Sequence, residues 1–304
     1  MYTNTVPQRS TQTGLEGAPG KRNSSRLPRW LYRKVPLKGK KETVIHCLHE
    51  GALHTVCEEA KCPNRCECFA CGTATFLIMG TICTRNCAFC SIAHGTPQPL
   101  DPEEPERLCE AVEKMGLSYV VITTVTRDDL EDGGAGHIAK TITLLKRNDT
   151  IRVEILASDF GGNMRALATV LESRPDVFNH NIETVPLRYP SVRPEADYAR
   201  SLALLRRAAH YSPEIPVKSG VMVGLGETEK EIISLMEELH DAGVSILTIG
   251  QYLQPGRNQV PVKEFIHPEQ FQRYRNIAEE IGFLKVVSGP FVRSSYKAAE
   301  LATG

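Results

Sequence analysis

Net charge is missing from this sequence: its 36 lysine and arginine residues are matched by 36 aspartate and glutamate residues. That balance argues against a general binder of nucleic acid or of membrane surfaces, which depend on excess positive charge. Also missing is any apolar run near the ~20 residues that a membrane span needs. No apolar signal segment precedes the 10 cysteines, so they do not read as a secreted disulfide framework. Six of them lie in metal-like spacings, and reduced thiols awaiting metal point to the cytoplasm. Neither an internal repeat nor a low-complexity core is visible. A chain of 304 residues can bury a large core, as two small domains or as one barrel of alternating strands and helices.

What is present is organised around Cys83-Thr-Arg-Asn-Cys87-Ala-Phe-Cys90, three thiols spaced C-x3-C-x2-C. A four-iron, four-sulfur cluster takes a thiolate on each iron, so a loop offering three leaves one iron open to a ligand that is not protein. A structural zinc site would instead take four protein ligands, commonly from paired C-x2-C knuckles. At these residues the sequence resembles the radical S-adenosylmethionine (SAM) superfamily. The resemblance implies that the open iron binds SAM and that reductive cleavage yields methionine and a 5'-deoxyadenosyl radical. Phe89 matches the aromatic residue usual before the third cysteine.

Upstream, the first 29 residues are polar and nearly free of acid, fitting a solvated tail or an organelle transit peptide. Trp30, Leu31, Val35 and Leu37 follow as apolar anchors among Arg33, Lys34, Lys38, Lys40 and Lys41, and this part is expected to pack across the main domain. Thr43 to His54 reads as a short amphipathic helix, with Cys47 as a small core residue. Then come Cys57, Cys62 and Cys68, a C-x4-C-x5-C triad. Two triads so close together are hard to explain by packing. The second is similar to that of the lipoyl synthase family, which carries an auxiliary four-iron, four-sulfur cluster on this spacing. The resemblance extends to Val56-Cys-Glu-Glu-Ala-Lys-Cys-Pro-Asn64 and Gly72-Thr-Ala-Thr-Phe76.

From Thr75 the chain alternates. Apolar runs suited to buried parallel strands lie at 76–79, 119–124, 151–156, 177–182, 217–223, 246–252 and 285–287, and helical patterns at 105–115, 136–146, 164–172, 196–210, 228–242 and 268–281 separate them. This predicts an α/β fold, a partial (β/α)6 TIM-type barrel with right-handed crossovers. The resemblance implies N- and C-terminal extensions that carry the auxiliary cluster. The expected division is a basic arm at 1–41, an auxiliary-cluster extension at 42–72, a barrel at 73–284 and a C-terminal segment at 285–304. Ligands sit at the carboxyl ends of such strands, which is where Cys83 to Cys90 falls.

Gly220-Val-Met222-Val-Gly224-Leu-Gly-Glu227 ends the fifth strand and resembles the segment with which radical SAM proteins approach adenine, with Glu227 starting a helix. Asn181 and Glu183, on a polar strand end, are candidates for the ribose or methionyl end of SAM, or for a loop-anchoring network. Thr123 closes the second strand in a similar way, and Gln251 and Tyr252 are candidates at the sixth, although Tyr252 also fits a core position. Arg293-Ser294-Ser295-Tyr296 resembles a terminal family signature in which Ser294 is the fourth ligand of the auxiliary cluster. Oxygen is a harder, poorer match for sulfide-rich iron than a thiolate, so that iron is expected to be the easiest to lose.

The resemblance implies insertion of sulfur at C6 and C8 of a lysine-bound octanoyl chain, with the auxiliary cluster as donor and two SAM molecules spent. Implied partners are octanoylated carrier domains of 2-oxoacid dehydrogenases and the glycine cleavage H protein, an electron donor such as flavodoxin or ferredoxin, and an iron-sulfur carrier, with neither nucleic acid nor membrane. The basic stretch 29–41 would steer an acidic carrier or simply be solvated. Cys66 and Cys71 stand where the family does not usually have cysteine, Cys109 reads as core, and Thr81-Ile82 and Gly256-Arg-Asn-Gln259 depart from the usual pattern. Competing readings are another sulfur-inserting radical SAM enzyme, such as a methylthiotransferase, and a zinc-stabilised binding module.

Overall fold

The computed structural model describes residues 27–32, 39–71 and 73–302. Most of the basic arm, including Arg33, Lys34, Val35, Leu37 and Lys38, lies outside the described residues, as does Gly72. The described part of the arm does pack on the main body. Leu31 is buried, and the Trp30 ring meets the His267 ring edge-on at 5.0 Å.

Helix α1 (Lys41–Glu50) buries Val44, Cys47 and Leu48, the three-and-four spacing of one helical face. It stops four residues before the expected end. Gly51 caps it, Ala52 turns through a positive φ of 46°, and His54–Thr55 becomes strand β1. Short helices α2 (Val56–Glu59) and α3 (Arg65–Ala70) then carry Cys57 and Cys68. The Thr55 hydroxyl caps α2 by accepting the Glu58 N–H at 3.3 Å.

Strand β2 (Thr75–Ile78) is buried on both faces, as a parallel strand between helix layers must be. Two-residue strands β3 (Ile82–Cys83) and β4 (Ala93–His94) pair with each other and close the neck of the cysteine loop. The remaining chain alternates as α4 (Glu104–Met115), β5 (Tyr119–Thr124), α5 (Ala135–Leu145), β6 (Arg152–Leu156), α6 (Met164–Glu172), β7 (Val177–Asn179), α7 (Tyr189–Val192), α8 (Tyr198–Tyr211), β8 (Val217–Val223), α9 (Glu229–Asp241), β9 (Ile246–Gln251), α10 (Pro268–Ile281), β10 (Lys285–Gly289) and α11 (Ala298–Ala302).

The main sheet runs β1-β2-β5-β6-β7-β8-β9-β10, with every pair parallel except β1 against β2. The α/β order and the open, consecutive parallel strands are those expected. The antiparallel edge strand β1 was not. β10, where the seventh apolar run was expected, extends the sheet beyond six strands in register with β9. Strand β7 ends three residues early because Glu183 takes a positive φ of 69°, which turns the chain after a single bridge to Val221.

Lys218 and Glu154 form a charged pair sealed inside the sheet. Lys218 Nζ donates to Glu154 Oε1 at 2.8 Å, and Tyr119 Oη and Asn179 Nδ2 donate to the same carboxylate at 2.9 and 3.1 Å. Four neighbouring strands are thereby joined through one side chain, and each donor partly compensates the desolvated charge.

Candidate active site

A cavity of about 540 Å³ is walled by residues at or near the carboxyl ends of the parallel strands: Leu77, Thr123 and Thr124, Leu156, and Gly220 to Met222 among them. Cys83, Cys87 and Cys90 face it, and so do Cys57, Cys62 and Ser294. A second cavity, about 250 Å³, lies against Cys57, Cys62, Cys68 and Cys71. Ser294 is thus close to the second triad although more than two hundred residues separate them in sequence. Hydrogen bonds help hold the connection: Asn64 Nδ2 donates to Phe291 O at 2.7 Å and Tyr296 Oη to Glu67 Oε1 at 3.0 Å.

The cysteine loop is fixed from several sides. Arg85, within it, donates through Nε to Asp128 and through a terminal nitrogen to Asp159, each at 2.6 Å. Asp159 also accepts from Arg200 Nε at 2.8 Å. Burial alone would raise the Asp159 carboxyl, but the hydrogen bonds from Arg85 and Arg200 outweigh it and hold the group well below the usual range. The Ala88 N–H donates to Val192 O at 2.9 Å, and the Val260 N–H to Ala88 O at 2.8 Å. Phe89 packs with Val192, Leu225 and Tyr252.

All ten cysteines are free thiols. Burial, reinforced by the neighbouring sulfurs, pushes Cys57 up to about 11 and Cys68 and Cys90 up to about 12, and raises Cys87. Such thiols keep their protons until a cation displaces them, which is how cysteine ligands load. Backbone N–H groups already point at sulfur: Arg85 and Thr126 at Cys83 Sγ (3.4 and 3.3 Å) and Ile92 at Cys90 Sγ (3.5 Å). These are donors that stabilise thiolate on iron. The donor set therefore fits iron-sulfur clusters. Among the described residues no three His, Cys, Asp or Glu side chains close on a single-ion site; a four-iron cluster spreads its thiolates over a much larger body. Cys71 is exposed beside Cys68, Cys66 borders neither cavity, and Cys109 is partly buried against the core.

The cavity also holds polar atoms with no partner. Asn181 Oδ1, Thr124 Oγ1 and Arg193 Nε are buried and unsatisfied, an arrangement that calls for a polar ligand. Asn181 Nδ2 donates to Glu183 Oε1 at 3.1 Å. Burial raises the Glu183 carboxyl despite the opposing charge of Arg193. Gly220 is required here: a Cβ would lie 2.7 Å from Asn181 Oδ1. Thr123 lines the cavity while its hydroxyl donates to Leu156 O at 3.3 Å, and Met222 lines it as an apolar wall.

Three candidates have side-chain or backbone contacts of their own within the protein, and two of them, Gln251 and Tyr252, also border the cavity. Gln251 spends its amide on backbone, donating to Val223 O, Tyr252 O and Glu264 O and accepting from Ile266 N at 2.8 Å, so its side chain has no polar atom left for a ligand. Tyr252 Oη donates to Val260 O at 2.7 Å and holds that loop over the cysteines. Gly224 does not border the cavity; a Cβ there would lie 2.4 Å from Glu264 O, so its role is to admit that loop. Glu227 precedes α9 instead of starting it. Thr228 is the cap, and Glu227 accepts the N–H groups of Gly224 and Leu225. Arg85, Arg193 and Arg293 were not anticipated as site residues: Arg85 acts through Asp128 and Asp159, which are distant in sequence, and only the fold brings Arg193 and Arg293 to the cavity.

Residues 77–239 match the radical SAM superfamily, and residues 2–62 match the N-terminal domain of lipoyl synthase of the radical SAM family. Lipoyl synthase of Caldanaerobacter subterraneus is 54% identical over 273 residues, covering 90% of this chain and 96% of that protein. This chain belongs to the lipoyl synthase family. Lipoyl synthase of Haemophilus influenzae is 51% identical over 280 residues, covering 91% and 88% of the two chains. Among solved structures, Streptococcus suis SuiB bound to S-adenosylmethionine superposes with a TM-score of 0.51 at 14% identity over 67% of this chain and 46% of that one, a likeness of fold alone. Membership in the lipoyl synthase family makes the chain a radical SAM sulfurtransferase of lipoyl formation, the enzyme class expected from its two triads.

Proposed function

We propose that the chain converts a lysine-bound octanoyl group on a carrier domain into a lipoyl group, inserting sulfur at C6 and C8. Cys83, Cys87 and Cys90 would hold one four-iron, four-sulfur cluster together with SAM. Cys57, Cys62, Cys68 and Ser294 would hold the sulfur-donating cluster. The observation that carries this reading is the single cavity bordered by Cys83, Cys87 and Cys90 on one side and by Cys57, Cys62 and Ser294 on the other. When bound, the SAM-bearing cluster supplies a 5'-deoxyadenosyl radical able to take hydrogen from an unactivated C–H bond.

The protein's own contribution is placement. Leu77, Ile92, Leu156, Val221 and Met222 give the cavity apolar wall against which an alkyl chain can lie out of water. Asn181, Glu183 and Thr124 offer the polar groups suited to a nucleoside and an amino acid. Arg85 and its two aspartates fix the cysteine loop against β5 and β6, so the reacting atoms keep their separation.

Partners follow from the same reading: octanoylated carrier domains, a low-potential electron donor of the flavodoxin or ferredoxin kind, and an iron-sulfur carrier that renews the spent cluster. The reading also places the enzyme in the cytoplasm. Among the described residues no helix is long and apolar enough to cross a membrane.

Anaerobic incubation of the reconstituted protein with SAM, a reductant and an octanoyl-lysine peptide, followed by mass analysis, tests the proposal. The expected product gains two sulfurs, with two 5'-deoxyadenosines released per peptide. A methylthiolated product, or no sulfur transfer from protein carrying both clusters, would overturn it.

A further inference from the structure

Four residues border both cavities: Cys57, Cys62, Arg293 and Ser295. Arg293 is the one whose presence there the motif analysis leaves unexplained. Its side chain borders both cysteine sites, in the neighbourhood of Cys62 and Glu183. Among the described residues no carboxylate lies within the 4.0 Å of an ion pair. Among the described residues its side-chain hydrogen bond runs from Nη1 to the adjacent Val292 O at 2.6 Å.

The placement is built. Position 250 must be glycine, since a Cβ there would lie 2.2 Å from Val292 O and 3.4 Å from Arg293 Nη1. The bare strand lets the terminal segment enter the barrel mouth. The Val292 side chain is buried, the Tyr296 N–H donates to Arg293 O at 2.9 Å, and Asn64 holds Phe291 from the other side.

A half-buried guanidinium that lines two cavities with no carboxylate in ion-pair contact is free to complete its charge with an anion. A cluster held by three thiolates and a serine oxygen carries net negative charge, and N–H donors to its sulfurs both hold it and set its potential. We propose that Arg293 is a positioning residue for the sulfur donor, supplying the positive charge and N–H donors against which the auxiliary cluster is seated beside Ser294. This rests on the assignment of Cys57, Cys62, Cys68 and Ser294 to that cluster. It adds a role for a residue that is not itself a ligand.

The test compares wild type, Arg293→Gln and Arg293→Lys, each reconstituted anaerobically. Iron and sulfide per chain, iron release to a chelator, and a redox titration followed by electron paramagnetic resonance are measured, together with the KM for SAM. In Arg293→Gln, iron should leave the auxiliary site several-fold faster, and that cluster's midpoint potential should fall further than that of the SAM-bearing cluster. Arg293→Lys, which keeps the charge but not the planar fork, should recover most of both. The inference is overturned if Arg293→Gln matches wild type in iron retention and potential, or if Gln and Lys are equally defective, which would make the role one of packing. A raised KM for SAM with an unaltered auxiliary cluster also overturns it. Wild-type protein holding only one cluster overturns the underlying assignment and this inference with it. Two clusters in wild type, with Arg293→Gln indistinguishable, overturns the inference alone.

Discussion

The Tyr296 hydroxyl donates to the Glu67 carboxylate at 3.0 Å, joining positions 229 residues apart in the chain. One end lies two residues from Ser294 and the other one residue from Cys68. The bond therefore ties the terminal segment to the helix that carries part of the second triad.

Tyr296→Phe should remove about 1 kcal/mol from this connection without unfolding the barrel. Iron bound by the second triad and Ser294 should then be lost faster to a chelator, while SAM binding is retained. Iron content after timed chelation reads the first effect and equilibrium binding the second. Equal retention by variant and wild type would show that the bond is dispensable.

Ser294→Cys replaces a hard oxygen by a thiolate that suits sulfide-rich iron better. The auxiliary cluster should persist in spectra, while lipoyl formation drops by roughly an order of magnitude because the iron no longer leaves readily. Full product formation with an intact cluster beforehand would contradict the assigned lability.

Gly250→Ala places a methyl group where Val292 O now sits, 2.2 Å from the new carbon. Backbone cannot yield there as a side-chain tip would. The terminal segment should be displaced, with near-complete loss of sulfur transfer and of the auxiliary cluster. The cluster of Cys83, Cys87 and Cys90 and its uncoupled cleavage of SAM should survive. Loss of both clusters together would refute the local effect.

His180 is buried, with Nδ1 facing Ala157 O at 2.9 Å and Nε2 facing Ser201 Oγ at 3.1 Å. Burial, with the charge of Arg193 added, lowers it from 6.5 to about 4. A histidine whose folded value lies below its unfolded one contributes fully above the unfolded value, and that contribution is withdrawn as pH falls from 6.5 toward 4. The loss should reach on the order of 3 kcal/mol at the acid end. His180→Gln should be less stable at neutral pH and should flatten the slope across this window in chemical denaturation. An unchanged slope would remove His180 as its source.

Much of the fold was legible in the sequence because local signals agree with the packing. Helix α6 has its bounds where the pattern puts them, with Asn163 capping its first turn, and α10 begins at Pro268 and stops before Gly282 in a left-handed conformation. Strand β1 was not legible: two residues after a glycine turn carry no periodicity, and only pairing with Phe76 and Leu77 makes them a strand. The gathering of Cys83, Cys87 and Cys90 at one site could be read from spacing, and that of the second triad from spacing together with the family resemblance. Gln251 could not, since a strand-end amide looks the same in sequence whether it faces a ligand or laces backbone. Arg85 with Asp159 and Lys218 with Glu154 are contacts across 74 and 64 residues, set by strand order and by no local pattern.

Cys57 and Cys62 border two cavities at once, each with its own mouth of lining residues. On the proposed function, a cluster anchored there would meet the alkyl group from the barrel mouth, leaving the flank bordered by Lys40, Cys71 and Lys297 for incoming material. Traffic for consumption and traffic for replenishment need not share a doorway.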